Sequence, residues 1–341
     1  MDFAETRSPA PRDATPPLLS VVVKCYNEER RIAACLESVL AATRGMDAEI
    51  IVADALSTDR TVAIARHYPV RIVRMADPAD RGCGATAQLG GQHARGVFLL
   101  LVDGDMELLP GFLPAAFDAM AQDPRLAGAG GGLIEMSPAI EFQERRRRDA
   151  SRPESRTPRR LSGSALYRMS AIREAGYFMN RDLYCGEELE LGQRLRARGW
   201  RLRLIETDAV KHHGHDSSAM TLLRQRWKSR YFDGYGQLLR HAWGKPYFGE
   251  TLRVCALFLL VIGWWLAMAA LAAAALLGFA GPWPLIAAGL APLIAIGIRK
   301  RRIGAGAYTF LLWQFHAASF VRGLLRKRRD PGAAIASVTV V

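Results

Sequence analysis

The chain has 341 residues, of which 50% are apolar, enough for one large domain with an appendage and a sizeable core. Its formal net charge of +13 suits nucleic acid, anionic lipid or a phosphorylated substrate as a partner. The sequence carries no zinc-finger spacing and no RNA-binding signature, so nucleic acid is not expected, and the basic clusters adjoin apolar stretches, which favours lipid.

The five cysteines are odd in number and form no Cys-x-x-Cys pair. This pattern is typical of free thiols in a reducing compartment rather than of a disulfide framework. Residues 1–17 combine acids and prolines without an apolar core. We expect a disordered tail there and not a secretory signal.

Beyond the tail, short apolar runs predict strands, and the segments between several of them predict helices. The clearest helix runs from Ile32 to Leu40, where apolar residues recur at i, i+3, i+4 and i+7. Ser57-Thr58-Asp59 should cap a short helix that ends near His67. Such alternation predicts an α/β fold with a mostly parallel sheet flanked by helices. The predicted strands are Leu18–Val23, Ala48–Ala53, Val70–Arg74, Val97–Asp105, Ala127–Glu135, Gly163–Arg168 and Arg201–Ile205, with further helices at Phe112–Ala121 and Gly186–Arg198.

Val97–Asp105 is the most informative stretch, because an unbroken apolar run ends there in two carboxylates, Asp103 and Asp105. Such a run is typical of a strand buried on both faces, and ligands bind beyond the carboxyl ends of parallel strands. Two carboxylates flanking Gly104 could hold a hard divalent cation against phosphate oxygens. The alternative interpretation is an ordinary strand followed by an acidic turn.

Two polar or basic segments interrupt this pattern. Glu144–Arg160 is the most polar part of the chain, and its composition predicts a solvated, mobile loop. Closure of that loop over a substrate is the alternative. Met220–Arg240 mixes aromatic and basic residues, a composition that suits a helix in a membrane interface.

The C-terminal third contains long apolar runs. Val254–Ala280 carries no charge and exceeds the roughly 20 residues that span a bilayer, which argues against a buried core helix. Leu285–Ile298 is shorter and contains Pro292, so a re-entrant segment remains an alternative to a hairpin. Basic residues flank both ends of the pair, which predicts that both ends face the cytoplasm. Ala305–Leu325 is more polar, and we expect an interfacial helix there.

Several motifs between Leu18 and Gly236 resemble, in the same order, those of the family 2 glycosyltransferases, which have the GT-A nucleotide-sugar fold. The chain has lysine at position 24 where that family usually has proline, glutamine at 88 for asparagine, and glutamate at 188 for aspartate. The segments that carry the resemblance are Val21–Glu28, Asp54–Asp59, Gln88–Gly96, Asp103–Asp105 and Gly186–Leu191. Arg224–Trp227 partly resembles the Gln-x-x-Arg-Trp motif of processive polysaccharide synthases, with Leu223 where that motif needs glutamine. Arg226 and Trp227 could contact the acceptor or the diphosphate, and the favoured alternative is that they simply lie at the membrane interface.

The resemblance implies a catalytic domain over residues 18–215, amphipathic interfacial helices over 216–252, a transmembrane hairpin over 253–300, and an interfacial helix with a basic tail over 301–341. It implies a Mg²⁺ or Mn²⁺ ion on Asp105, with Asp103 and His212 as further ligands, that acts as a Lewis acid on the leaving diphosphate. At least one of His212, His213 and His215 is expected to be an ordinary surface residue.

The resemblance also assigns the remaining site residues. Glu188 is the expected general base, with Glu187 as the fallback. The alternative is that acids gather here because a helix begins. The expected contacts to the nucleotide sugar are Tyr26, Glu28, Asp54, Gln88, Gly90, Asp103, Gly163, Arg226 and Trp227.

The leading hypothesis is an inverting, metal-dependent glycosyltransferase anchored in the cytoplasmic membrane, with its catalytic domain facing the cytoplasm. It would move one sugar from a nucleotide-diphosphate donor to a lipid-linked or cell-envelope polysaccharide acceptor. The alternatives are a polyprenyl-phosphate sugar synthase, a processive polysaccharide synthase and a non-catalytic nucleotide-sugar-binding subunit. A processive synthase is disfavoured because one hairpin is too little for a product channel. The sequence does not specify the sugar, the nucleotide, the acceptor or the oligomeric state.

Overall fold

The computed structural model describes residues 15–136, 158–214, 219–300 and 303–340. Within these residues a nine-stranded sheet is flanked by helices. The strands are β1 (Leu19–Cys25), β2 (Ala48–Asp54), β3 (Arg71–Met75), β4 (Phe98–Asp103), β5 (Met106–Leu108), β6 (Leu126–Glu135), β7 (Ala165–Arg168), β8 (Arg201–His212) and β9 (Ser337–Thr339). Their order across the sheet is β5-β8-β6-β7-β4-β1-β2-β3-β9.

Helices cover both faces of this sheet, and longer helices follow it in the chain. The helices packed around the sheet are α1 (Ile32–Ala42), α2 (Thr61–Ala65), α3 (Cys83–His93), α4 (Phe112–Gln122), α5 (Met169–Glu174) and α6 (Glu187–Ala197). The later helices are α7 (Ala219–Lys228), α8 (Gly234–Ala242), α9 (Phe248–Val254), α10 (Ala256–Leu276), α11 (Trp283–Lys300) and α12 (Ile303–Leu325).

The centre of the sheet is parallel, as the sequence predicts. β1 lies between β2 and β4 and runs parallel to both, and β3 continues the parallel set beyond β2. Val21, Ile51 and Leu100 on these strands are completely buried, because helices cover both faces. The carboxyl ends of β1, β2 and β4 therefore lie side by side and bring together Lys24, Asp54 and Asp103.

Outside this centre the sheet is mixed, so the prediction of a mostly parallel sheet is too simple. β7 runs antiparallel to β4 and to β6, β5 runs antiparallel to β8, and β9 runs antiparallel to β3. β8 continues to His212 instead of ending at Ile205, because it pairs with β6 as far as His212 and, near its end, with β5 on its other edge. Its middle is partly exposed, so its sequence lacks the apolar run of a central strand.

The segment between the sheet and the long helices is not one continuous helix, which corrects the expectation for Met220–Arg240. The helical path breaks at Arg230, which has a φ of 61° in the left-handed region. A short turn with buried Phe232 and Asp233 follows, and α8 begins there. The Asp233 carboxylate accepts hydrogen bonds of 2.9 Å and 2.7 Å from the guanidinium of Arg322 on α12. This segment therefore joins the sheet domain to the last long helix.

α10 and α11 are each long and apolar enough to cross a bilayer, by length and composition. Only 11% and 6% of their most apolar windows are buried, which a core helix of a soluble domain would not show. α12 packs against both, with an edge-on contact between Trp264 and Phe310 and a hydrogen bond of 2.6 Å from Trp265 Nε1 to Gln314 Oε1. The three helices therefore form one packed group.

The end of the chain returns to the sheet, which the sequence did not predict. β9 pairs with the edge strand β3, and the Gln92 side chain makes hydrogen bonds of 2.8 Å and 3.0 Å with the backbone of Ile335. Arg329, from the predicted basic tail, pairs with Asp80 at 2.8 Å. The expected disordered N-terminal tail and the expected mobile loop lie mostly outside the described residues, as does His215.

Candidate active site

Two loops at the carboxyl ends of β1 and β2 are tied together by hydrogen bonds. The backbone N–H of Glu28 donates to Thr61 Oγ1 at 2.7 Å, and the N–H of Thr58 donates to Asn27 Oδ1 at 2.8 Å. Asn27 has a φ of 57°, a conformation that asparagine tolerates better than most residues. These contacts fix the loop that carries Tyr26 and Glu28.

The side chain of Asp54 fixes the conformation of the second loop. Its carboxylate is fully buried and accepts hydrogen bonds of 3.1 Å and 3.2 Å from the N–H of Ser57. Arg74 Nε lies 3.1 Å from the same carboxylate. In this conformation the Asp54 carboxylate is therefore not exposed to accept the expected hydrogen bonds from a nucleoside. It accepts hydrogen bonds from the second loop instead and fixes the conformation of that loop.

Tyr26 lies open at the surface of the first loop, with 41% of the residue exposed. The guanidinium carbon of Arg81 lies 4.7 Å from its ring centroid, and Arg81 Nη1 donates to its hydroxyl at 3.1 Å. An exposed ring backed by a cation offers a surface on which a nucleobase can stack.

Lys24 lies between two acids at the end of β1. Its Nζ is 3.2 Å from Asp103 Oδ1 and 3.5 Å from Glu187 Oε1. Burial raises the pKa of Asp103 to about 6 and, together with Glu188, that of Glu187 to about 7, while Lys24 opposes both rises. Burial alone would lower the pKa of Lys24, but the surrounding acids raise it well above its usual value. Lys24 is therefore a charged member of the site.

Asp105 faces His212 across the paired strands β5 and β8. His212 Nε2 lies 3.3 Å from Asp105 Oδ2, and its Nδ1 lies 2.7 Å from Glu135 Oε2. Burial would lower the pKa of His212, yet hydrogen bonds and charge from Asp105 and Glu135 raise it to about 9. Burial also raises the pKa of nearby Glu28 to about 8, with Asp105 and Asp103 adding to the rise. Acidic side chains thus crowd this edge, and their burial raises the pKa values of several of them.

Carboxylate and imidazole groups are suitable ligands for Mn²⁺, and carboxylates for Mg²⁺. Asp105 and His212 fit such an ion, with Asp103 beside them. Among the described residues no three His, Cys, Asp or Glu side chains form a ready cage for a metal ion. The chain would therefore supply few ligands and leave the others to phosphate oxygens and water, which is how Mg²⁺ is usually bound beside nucleotides.

Glu187 and Glu188 begin helix α6 but lie in different surroundings. Glu187 is only 3% exposed and pairs with Lys24, whereas Glu188 is partly exposed. Glu188 is close enough to raise the pKa of both Asp103 and Glu187. Of the two, Glu188 is the carboxylate that an acceptor could reach.

Gly163 lies directly against the acidic edge. A Cβ at this position would be 3.0 Å from Asp103 Oδ2, so the missing side chain leaves room for that carboxylate. Gln88 and Gly90 lie instead inside the packing of α3. Gln88 Oε1 accepts a hydrogen bond of 3.0 Å from the buried N–H of Met179, and a Cβ on Gly90 would overlap Val22.

Arg226 and Trp227 lie on α7, and Trp227 packs beside the last long helix. The Arg322 guanidinium stacks over Trp227 at 4.3 Å, and Phe315 meets the same ring edge-on at 5.2 Å. Arg226 lies over Tyr231, with 5.5 Å between the guanidinium carbon and the ring centroid. Trp227 therefore packs the junction between α7 and α12.

Sequence reasoning missed three residues of this edge. Lys24 stands out in the sequence as a departure from the family pattern. A lysine next to strand-end acids also indicates an ion pair, and this was the available signal. Glu135 follows an apolar and glycine-rich strand, as Asp103 does, and that position was the available signal. Arg81 had no signal, because its contact with Tyr26 depends on the folding of a loop.

Comparison with known proteins finds a family whose profile matches part of this chain. Residues 20–176 match the profile of glycosyl transferase family 2. The uncharacterized glycosyltransferase EpsJ of Bacillus subtilis is 36% identical over 91 residues, which cover 26% of each chain. The dolichol-phosphate mannosyltransferase of Pyrococcus furiosus is 27% identical over 128 residues, which cover 35% of this chain and 36% of that protein. The chain thus aligns with only about a quarter to a third of the length of these relatives.

A solved structure extends the likeness of the fold to nearly the whole chain. It is the mannosyltransferase PcManGT of Pyrobaculum calidifontis in complex with GDP-Man and Mn²⁺. The two chains share 21% identity with a TM-score of 0.62, over 92% of this chain and 89% of that one. Residues 20–176 therefore match glycosyltransferase family 2, and the chain has the GT-A fold that its sequence predicts.

Proposed function

We propose that the protein is an inverting, metal-dependent glycosyltransferase that moves one sugar from a nucleotide-diphosphate donor to a lipid-linked or cell-envelope polysaccharide acceptor. The observation that carries this proposal is the arrangement at one sheet edge, where Asp103, Asp105 and Glu188 meet His212 and Lys24. Acids gathered in this way destabilise one another unless a cation joins them, which a metal-bound diphosphate donor would supply.

In this scheme the nucleobase of the donor binds nearest the surface, and its ribose and diphosphate bind deeper in the site. The base stacks on Tyr26, whose ring is exposed and backed by Arg81. Asp103 lies deeper and faces the ribose or the metal. Mg²⁺ or Mn²⁺ on Asp105 and His212 would neutralise the charge that develops on the departing diphosphate.

Glu188 is the base in this scheme. The acceptor hydroxyl gives its proton to a carboxylate oxygen of Glu188 as its own oxygen bonds to the anomeric carbon. The bond from that carbon to the diphosphate breaks, and its electron pair leaves with the nucleoside diphosphate. Attack opposite the leaving group inverts the anomeric centre. Glu187 suits this role less well because it is buried and paired with Lys24.

Two observations support an acceptor at the membrane. α10 and α11 are candidate membrane spans with little of their surface buried. Several relatives carry names of lipid-phosphate transferases, among them the dolichyl-phosphate beta-glucosyltransferase of Drosophila melanogaster, 35% identical over 101 residues. Basic residues at both ends of the hairpin favour a catalytic domain on the cytoplasmic face. The same names favour a second candidate, a polyprenyl-phosphate sugar synthase, whose phosphate acceptor needs a base less.

The test is sugar transfer by the purified full chain in detergent with Mn²⁺, a panel of labelled nucleotide sugars and extracted membrane lipid. Asp105→Ala should abolish transfer, and Glu188→Gln should lower it about 100-fold or more. Donor-induced thermal stabilisation should survive in Glu188→Gln. Glu206→Gln, which changes an exposed acid on β8, is the matched control and should be fully active.

The outcomes separate the candidates. Loss of transfer in Asp105→Ala with only a mild effect of Glu188→Gln supports the polyprenyl-phosphate sugar synthase. Full transfer in both variants contradicts the mechanism. Donor binding without turnover on any acceptor would support a non-catalytic nucleotide-sugar-binding subunit.

A further inference from the structure

Glu135 is an acid with no part in the scheme above, although it contacts His212 directly. It ends β6, and His212 is its register partner on the parallel strand β8. Its carboxylate lies 2.7 Å from His212 Nδ1, and its side chain is only 4% exposed. The N–H of Met136 donates to the carbonyl of His212 at 2.9 Å, so the two strand ends are held together by backbone as well.

The contact decides which nitrogen of the imidazole can bind a metal. An ionised carboxylate can accept hydrogen bonds but cannot donate them, so Glu135 keeps a proton on Nδ1 of His212. A metal ion that displaces the other ring proton would then bind Nε2, the nitrogen that lies 3.3 Å from Asp105 Oδ2. Carboxylates in this relation to metal-binding histidines fix the orientation of the ring and raise its basicity.

We propose that Glu135 is a positioning residue that presents His212 Nε2 to the metal ion of the donor site. The inference rests on the proposed function, because that function places a Mg²⁺ or Mn²⁺ ion on Asp105 and His212. Glu135 itself acts through the histidine, since its near oxygen is engaged with Nδ1 on the side away from Asp105.

The neighbouring residue provides an internal comparison. His213 Nε2 pairs with Glu107 at 2.5 Å, and the backbone N–H of His213 donates to the carbonyl of Asp105 at 3.0 Å. This second glutamate–histidine pair has similar chemistry, but the side chain of Glu107 is more exposed than that of Glu135. Glu107→Gln is therefore a matched control, on strand β5 at the other side of β8.

The experiment uses Mn²⁺ alone as the probe, with the full chain in detergent. Affinity is measured from the free Mn²⁺ signal in electron paramagnetic resonance. Bound Mn²⁺ is then examined for the nitrogen modulation that a coordinated imidazole produces in pulsed spectra. Glu135→Gln keeps the size of the side chain, and we expect Mn²⁺ binding to weaken about 10–100-fold with reduced nitrogen modulation. Glu107→Gln should bind as the wild type does.

Glu135→Asp guards against a variant that does not fold, because it keeps the charge and only shortens the reach. We expect it to fall between the wild type and Glu135→Gln. Wild-type affinity with full nitrogen modulation in Glu135→Gln would overturn the proposal, and so would bound Mn²⁺ without nitrogen modulation in the wild type. These readouts need no turnover. A protein that shows the expected Mn²⁺ behaviour but transfers no sugar would sustain this inference while the proposed function fails.

Discussion

Lys24 gives the sharpest test of how the acidic edge is held together, and we expect Lys24→Met to destabilise the protein in a pH-dependent way. The ammonium lies 3.2 Å from Asp103 and 3.5 Å from Glu187, and its side chain is 12% exposed. Methionine has a similar length without the charge, so the variant leaves two largely buried carboxyl groups without their cation. In the wild type burial raises their pKa values to about 6 and about 7, although Lys24 opposes the rise.

The magnitude follows from the linkage between protonation and folding. A carboxyl group whose pKa is raised by folding stabilises the protein below its unfolded pKa, and this contribution is lost as the pH rises through the folded pKa. For the wild type that loss falls between about pH 4 and pH 7. Without Lys24 both pKa values rise further, so the loss continues above pH 7.

Each additional pKa unit corresponds to about 1.4 kcal/mol. A rise of about one unit at each of the two carboxyl groups therefore gives about 3 kcal/mol at pH 8, which is the lower end of the range for breaking a buried ion pair. At pH 5 both carboxyl groups are largely protonated, and the cost should fall to about 1 kcal/mol.

The assay is denaturant unfolding of the purified chain in detergent with EDTA, followed by tryptophan fluorescence at pH 5 and at pH 8. Lys24→Arg keeps the charge and should recover most of the stability. Arg30→Met removes an exposed charge from the segment before α1, and its effect should be small at both pH values. An equal cost of Lys24→Met at pH 5 and pH 8 would refute the reasoning, because the two carboxylates would then not depend on the lysine.

Three further outcomes follow from single contacts. Gly90→Ala should cost about 1–3 kcal/mol of stability by overpacking against Val22, seen as a lower melting temperature, whereas Gly249→Ala meets open space and should cost nothing. Tyr26→Ala should weaken nucleoside-diphosphate binding by about 1–3 kcal/mol in calorimetry, and Tyr26→Phe should not, if the ring face carries the contact. Gln92→Ala removes two hydrogen bonds to Ile335, so hydrogen exchange at β9 should accelerate by about 10-fold without loss of the remaining fold.

The strand-end acids could be predicted because their signal is local. Asp103 and Asp105 directly follow an unbroken apolar run, and the parallel arrangement of β1, β2 and β4 brings their ends together. The motif formed by Glu187 and Glu188 could be recognised in the sequence, but the difference between their exposures could not be predicted from it. That difference depends on Lys24, which approaches Glu187 from a strand far away in the sequence.

Packing contacts explain why other motif residues lie elsewhere. Gln88 and Gly90 matched a family segment, yet their places are decided by how closely α3 approaches Val22 and the loop at Met179. The ring of Trp227 lies under Arg322, nearly a hundred residues later in the chain. The spacing of residues along α7 does not predict a contact with such a distant partner.

The return of the chain to the sheet changes how the hairpin is joined to the catalytic domain. β8 precedes the long helices and β9 follows them, and both belong to one sheet. The segment between these strands is fixed to the sheet domain at both ends, and the contact of His241 Nε2 with Asp182 Oδ2 at 2.7 Å adds a third attachment. An anchor on a single flexible linker could take many orientations, whereas one held at three points cannot. If α10 and α11 cross the membrane, the acidic edge therefore keeps one orientation relative to the bilayer, which suits an acceptor confined to the lipid surface.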